Sequence, residues 1–124
     1  MVRSLLPKIV VLVVEDEPLL RMNTVDMVEE AGFEAVGAAN AKQAMTLLHD
    51  RDDIQIILSD IDMPPGMDGM DLVAIVRDRW PPIEIILVSG QIAAADVRLP
   101  ERGKFFSKPY RSQDLVAVMH RMAI

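Results

Sequence analysis

Ile54-Gln55-Ile56-Ile57-Leu58-Ser59 is a short apolar, β-branched run that ends on two carboxylates, Asp60 and Asp62, ahead of a Pro64-Pro65-Gly66 loop. Such a run reads as a buried strand. A buried strand that stops on an acid puts that acid at the mouth of a sheet, where ligands bind in open α/β folds. Asp60 is therefore the leading candidate for a ligand-facing acid, with the rest of the chain positioning it. Lys8–Val14 and Ile83–Val88 are similar runs, and continuous apolar strands are those of a parallel sheet covered on both faces.

The segments between the strands carry helical signals. Pro18 suits a first helical turn, and Leu20, Thr24, Met27, Val28 and Ala31 recur at helical spacing before Gly32, a natural stop. Phe33–Ala38 reads as a less apolar strand near a sheet edge. Asn40 can cap a helix carrying Ala41, Ala44, Met45 and Leu48. Leu72, Ile75, Val76 and Trp80 mark a third helix ended by Pro81-Pro82, and Leu115, Val118, Met119 and Met122 mark the last. Lys104–Ser107 is a short fifth strand. Gln91–Arg102 is the weak segment: its alanines favour helix, but Pro100 cuts it short and its apolar face is thin. It is expected to be the most mobile part. The order is a β-α unit repeated five times. Right-handed crossovers turn that order into a doubly wound, five-stranded parallel sheet with helices on both faces, the fourth helix short or irregular.

A chain of 124 residues is expected to form one domain, with its core over about 8–123. No apolar run reaches the roughly 18 residues of a membrane span, and Met1–Pro7 is too short for a signal peptide. There is no cysteine, which excludes disulfides, thiolate metal sites and cysteine nucleophiles and makes the cytoplasm the default compartment. The net charge of -6 argues against direct nucleic-acid binding. His49 and His120 read as surface residues rather than ligands.

The strand ends carry complementary chemistry. Glu15 and Asp16, Asp60, Ser89 and Lys108 all follow strands, and a parallel sheet gathers them at one edge. Clustered carboxylates raise one another's pKa unless a cation joins them. An all-oxygen set suits a hard cation, Mg²⁺ above all. With such a cation, Lys108 and the Ser89 hydroxyl could bind the oxygens of a phosphoryl group, and a carboxylate can take that group as an acyl phosphate.

Val14-Glu15-Asp16-Glu17-Pro18, Leu58–Pro64, Met67-Asp68-Gly69, Val88-Ser89-Gly90 and Phe105–Pro109 together resemble the receiver domain of two-component response regulators. The resemblance runs from Lys8 to the last helix. It implies a flavodoxin-like strand order of 2-1-3-4-5. Met1 at the start and a completed last helix favour a stand-alone receiver over residues 1–124, with an excised piece of a larger regulator or hybrid kinase as the alternative. The resemblance further implies that Asp60 is phosphorylated by a sensor histidine kinase or a histidine phosphotransfer protein. Asp16 and Asp60 then bind Mg²⁺ directly, Glu15 does so through water, and the Asp62 backbone carbonyl is a further ligand. Lys108 contacts the phosphoryl group, Ser89 is the switch hydroxyl and Phe105 the switch aromatic, although from the residues alone Phe105 is equally a core side chain. The product is a surface read by a separate protein, in a signalling module that catalyses only its own phosphorylation and dephosphorylation. The chain departs from the usual pattern in three places. Its 64–69 loop is one residue longer, Asp62 stands where many members have a neutral residue, and the stretch from Ser89 to Phe105 is short. The competing readings are a receiver-like interaction module without phosphorylation and a phosphatase using Asp60 and Asp62 as a D-x-D pair.

Overall fold

The five apolar runs form strands that lie side by side, all parallel, because each is followed by a crossover that returns the chain to the same end of the sheet. A computed structural model describes residues 8–64 and 66–124. The reading of Met1–Pro7 and the Pro65 position of the loop lie outside those residues. The elements are β1 (Val10–Val14), α1 (Pro18–Glu30), β2 (Glu34–Ala38), α2 (Ala41–Asp50), β3 (Ile54–Asp60), α3 (Gly69–Arg79), β4 (Glu84–Ser89), β5 (Gly103–Ser107) and α4 (Ser112–Met122). The sheet order is β2-β1-β3-β4-β5. The chain reverses direction across the sheet between β1 and β3, so the carboxyl ends of those two strands flank a crevice.

Alternation along the central strands divides the core in two. Leu12, Val14, Ile57, Ile85 and Leu87 face α2 and α3, and meet Ala44, Leu48, Leu72, Val73 and Val76. Val11, Val13, Ile56, Leu58, Ile86 and Val88 face α1 and α4, and meet Val28, Leu115, Val118 and Met119. Each such side chain contributes about 1.5–3 kcal/mol by leaving water. Register shifts between β1 and β3, with Val10 opposite Ile54 and Val11 opposite Ile56. The extra residue, Gln55, is exposed on that bulge. Beyond it the ladder is regular and places Val14 beside Ser59, Asp60 beside Val88, and Ser89 beside Ser107.

Helix boundaries follow their caps. Asn40 accepts from the Gln43 amide at 2.8 Å, Asp68 from the Asp71 amide at 2.9 Å, and Glu17 from the Leu20 amide at 2.8 Å, directly before Pro18. The expected apolar stripe on α1 packs on the core at Val28, which is buried, and at Met27 and Ala31, but its first member Leu20 is 46% exposed. α1 also lies over the edge strand β2, where Arg21 takes a packing position: a Cβ built on Gly37 would lie 3.4 Å from its Cδ. Gln91–Arg102, between β4 and β5, contains a single 3-10 turn, Ala94–Asp96, and no α-helix. Its C-terminal half is tied down by side chains. Arg98 pairs with Asp71 at 3.1 Å, Arg102 with Glu84 at 3.3 Å, and Arg77 donates to the Glu101 carbonyl at 2.9 Å.

Candidate functional site

β1 and β3 deliver Glu15 and Asp60 to the same edge, and the Glu15 amide completes the sheet there by bonding the Ala38 carbonyl at 3.0 Å. Both carboxylates are buried, at 6% and 7% exposure, whereas Asp16 lies in the exposed loop above them. One oxygen from each of Glu15, Asp16 and Asp60 falls within 4.8 Å of the others. β5 brings in Lys108, just before a cis Lys108–Pro109 peptide. Its ammonium lies 3.2 Å from Asp60 Oδ2 and 3.5 Å from Glu15 Oε1. The Lys108 amide also donates to the Ser89 carbonyl at 2.9 Å, which fixes β5 against β4 at the level of the site.

The electrostatics follow from this crowding. Glu15 is pushed up from an ordinary 4.5 to about 7. Burial is the main cause, and the like charge of Asp60 and contact with Asp16 add to it. The Glu17 amide, which donates to Glu15 Oε2 at 3.2 Å, and the Lys108 charge oppose the rise. Burial also pulls on the Lys108 ammonium in the direction of proton loss. That effect is outweighed by the charges of Asp60 and Glu15 and its hydrogen bonds to both, so Lys108 sits above the usual lysine value and stays charged at neutral pH. The edge thus holds three carboxylates against one ammonium, with Glu15 partly protonated near pH 7. A hard divalent cation would relieve this imbalance, and the all-oxygen donor set fits Mg²⁺.

Local contacts at its carboxyl end hold β3 in place. The Gly69 amide at the start of α3 donates to the Ile61 carbonyl at 3.0 Å. A Cβ on Gly69 would lie 2.2 Å from the Asp60 carbonyl oxygen, so only glycine lets α3 begin this near β3. The Ser59 hydroxyl donates to that same Asp60 carbonyl at 2.9 Å.

Ser89 ends β4 and is fully buried. Asp62, half-buried on the β3–α3 loop, lies between it and Asp60. The Asp62 amide donates to Asp60 Oδ1 at 3.3 Å, while the Asp62 carboxylate accepts from the Ser89 hydroxyl at 2.8 Å. Phe105 is half-buried in β5 and packs on the α2–α3 side of the core. The neighbouring Phe106 faces the opposite core beside Tyr110, with ring centroids 6.0 Å apart.

Glu15, Asp16, Asp60 and Lys108 are therefore brought together, and Ser89 lies next to them through Asp62. Phe105 stands apart, two residues before Ser107, the β5 partner of Ser89. His49 packs against Trp80 and His120 against Phe33, both away from the carboxylates. Sequence reasoning missed two contributors. Arg21 donates to the Glu15 carbonyl at 2.9 Å and orients the first acidic loop; its i+6 spacing from Glu15 was the available signal. The sequence reading gives Asp62 a metal-binding backbone carbonyl, an unusual charge and a place in a D-x-D pair, but not a side-chain bond to Ser89. That partner is 27 positions away across a strand pair, a contact with no local signature.

The family model for the response regulator receiver domain matches residues 11–120. The response regulator receiver protein CpdR of Brucella abortus is 31% identical over 117 residues, spanning 92% of this chain and 96% of CpdR. The response regulator protein FleR of Pseudomonas aeruginosa is 30% identical over 117 residues, but this chain spans only 24% of its length. A solved response regulator receiver protein from Pseudomonas putida superposes with a TM-score of 0.80 at 26% identity, over 94% of this chain and 99% of that one.

Proposed function

Since the chain belongs to the response regulator receiver domain family, we propose that it accepts a phosphoryl group on Asp60 from a sensor histidine kinase or a histidine phosphotransfer protein, in a Mg²⁺-dependent reaction. The observation that carries this reading is the Lys108 ammonium set between Asp60 and Glu15, with Asp16 closing an all-oxygen cluster. In this reading Asp60 supplies the attacking oxygen. Glu15, Asp16, Asp60 and the Asp62 backbone carbonyl would hold the cation, which when bound neutralises charge on the incoming phosphoryl oxygens. Lys108 neutralises another oxygen from the β5 side, with its charge maintained by its carboxylate neighbours. Burial of Asp60 and Glu15 limits water at the acceptor, so catalysis is positioning and charge neutralisation.

Ser89 and Phe105 serve as the readout. A doubly charged phosphoryl group would compete for the Ser89 hydroxyl with the Asp62 carboxylate that accepts it here, and movement of Ser89 would change the space beside β5, where Phe105 is only half-buried. Such a local charge change biases a two-state element whose altered surface a separate protein can bind. The chain acts as a signalling module, not on an external substrate. No helix among the described residues is long and apolar enough to cross a membrane, and neither a membrane nor a nucleic acid is proposed as a direct partner.

Incubation with Mg²⁺ and acetyl phosphate tests the reading. A stable mass increase of a single phosphate is the expected result. Turnover of phosphate esters without a stable adduct would favour a hydrolase using Asp60 and Asp62. No change with a competent donor would favour an interaction module that does not take phosphate.

A further inference from the structure

The Ser89 hydroxyl has no hydrogen-bonding capacity left. A serine oxygen offers one donated bond and two lone pairs. Here the lone pairs accept the Gln91 amide at 3.1 Å and the Ile92 amide at 3.0 Å, and the proton goes to Asp62 Oδ2 at 2.8 Å. The side chain is wholly buried, so water cannot compete for it. Its acceptor is a carboxylate, the stronger kind of partner. The same Asp62 contacts the acceptor carboxylate through its own amide.

We propose that Asp62 is an internal latch for Ser89: its carboxylate occupies the hydroxyl proton that a phosphoryl group on Asp60 must capture. Asp62 is thereby a positioning residue acting through Ser89. The proposal rests on the reading of Asp60 as the phosphoryl acceptor. Two anions then compete for one proton donor. With Asp60 unmodified, the Asp62 carboxylate keeps the hydroxyl turned toward the β3–α3 loop and fixes the start of the 90–92 turn through the two amides. Once a phosphoryl group is present, the hydroxyl can donate to it only by releasing Asp62, and the 90–92 turn loses its fixed point. A neutral residue at position 62 would hold the hydroxyl more weakly. The carboxylate therefore raises the threshold for switching and keeps the unphosphorylated form in one arrangement.

The test uses beryllofluoride with Mg²⁺ as the phosphoryl mimic, on the wild type, Asp62→Asn, Ser89→Ala and the double variant. A charged acceptor holds a hydroxyl more tightly than a neutral one, so Asp62→Asn should bind the mimic about fivefold more tightly than the wild type. In the Ser89→Ala background the same substitution should have almost no effect, because the latch has nothing to hold. If Asp62→Asn strengthens binding equally with and without Ser89, the carboxylate merely repels the incoming anion and the latch is wrong. Equal binding by Asp62→Asn and the wild type would overturn it as well. A second readout needs no mimic: amide hydrogen exchange at Gln91 and Ile92 in the metal-free proteins. Asp62→Asn should speed both amides about fivefold, since their shared acceptor is freed to rotate. Unchanged exchange there would refute the latch. If the wild type fails to bind beryllofluoride while these amides still respond, the acceptor assignment fails and the Asp62–Ser89 contact stands.

Discussion

Glu15→Gln isolates what it costs to keep an ionised carboxylate at the closed edge of this sheet. In the metal-free protein Glu15 titrates near 7 instead of 4.5. At about 1.36 kcal/mol per pH unit, that gap of roughly 2.5 units corresponds to about 3 kcal/mol. Between pH 4.5 and 7 the folded protein keeps a proton that the unfolded chain has already released. Stability therefore falls as pH rises through that window and is level above it, as far as this group is concerned. Glutamine has the same shape, can still accept from the Glu17 amide, and does not titrate. Urea denaturation in EDTA should show the two proteins nearly equal at pH 4.5, with the variant gaining progressively to about 3 kcal/mol at pH 8. Mg²⁺ should act in the opposite sense. A cation at a hundred times its dissociation constant adds about 2.7 kcal/mol to the wild type, and less to a variant lacking one of the three carboxylates. Wild-type affinity for Mg²⁺ should rise with pH up to about 7 as the competing proton leaves Glu15. A stability difference that does not change with pH, or a wild type more stable than Glu15→Gln at pH 8 in EDTA, would refute this reasoning.

Gly69→Ala should cost at least about 2 kcal/mol in urea denaturation, because the new methyl would overlap the Asp60 carbonyl; wild-type stability would show that α3 can back away freely. Arg77→Met removes donors to the Pro81, Ile83 and Glu101 carbonyls and should lower stability by about 1.5–3 kcal/mol. It should also speed amide exchange over 97–103, so unchanged exchange there would mean that Arg77 does not anchor the segment. Trp80 packs on His49 at the far end of α3 from Gly69, about 15 Å along the helix. Its fluorescence should not respond to Mg²⁺, and a pronounced quench on titration would contradict that placement.

The central strands were legible because a doubly covered parallel strand needs an unbroken apolar run, and Val10–Val14 and Ile56–Leu58 have one. The strand-end acids were legible for the same reason: each run stops on them, and the sheet leaves them at one edge. On α1 the expected stripe holds at Met27, Val28 and Ala31 and fails at Leu20, because helical spacing marks which residues share a side, but not how far the surface beneath them extends. Leu20 shares the stripe with Val28 yet overhangs the crevice. Gln91–Arg102 read as weak from its apolar content, and it forms only a 3-10 turn. Its anchorage was invisible because Arg77, Asp71 and Glu84 come from other elements and act on backbone carbonyls or single charges. The Asp62–Ser89 pair depends on two loop conformations at once, which no local pattern encodes.

The central claim is that Asp60 is the acceptor, and locating the phosphate tests it most directly. Wild type and Asp60→Asn are incubated with acetyl phosphate and Mg²⁺, then digested and mapped by mass spectrometry. The account predicts a single acyl phosphate on the wild-type peptide containing Asp60, none in Asp60→Asn, and none in the wild type when EDTA removes the cation. Wild-type labelling in Asp60→Asn, or phosphate on Glu15, Asp16 or Asp62 of the unaltered protein, would contradict it.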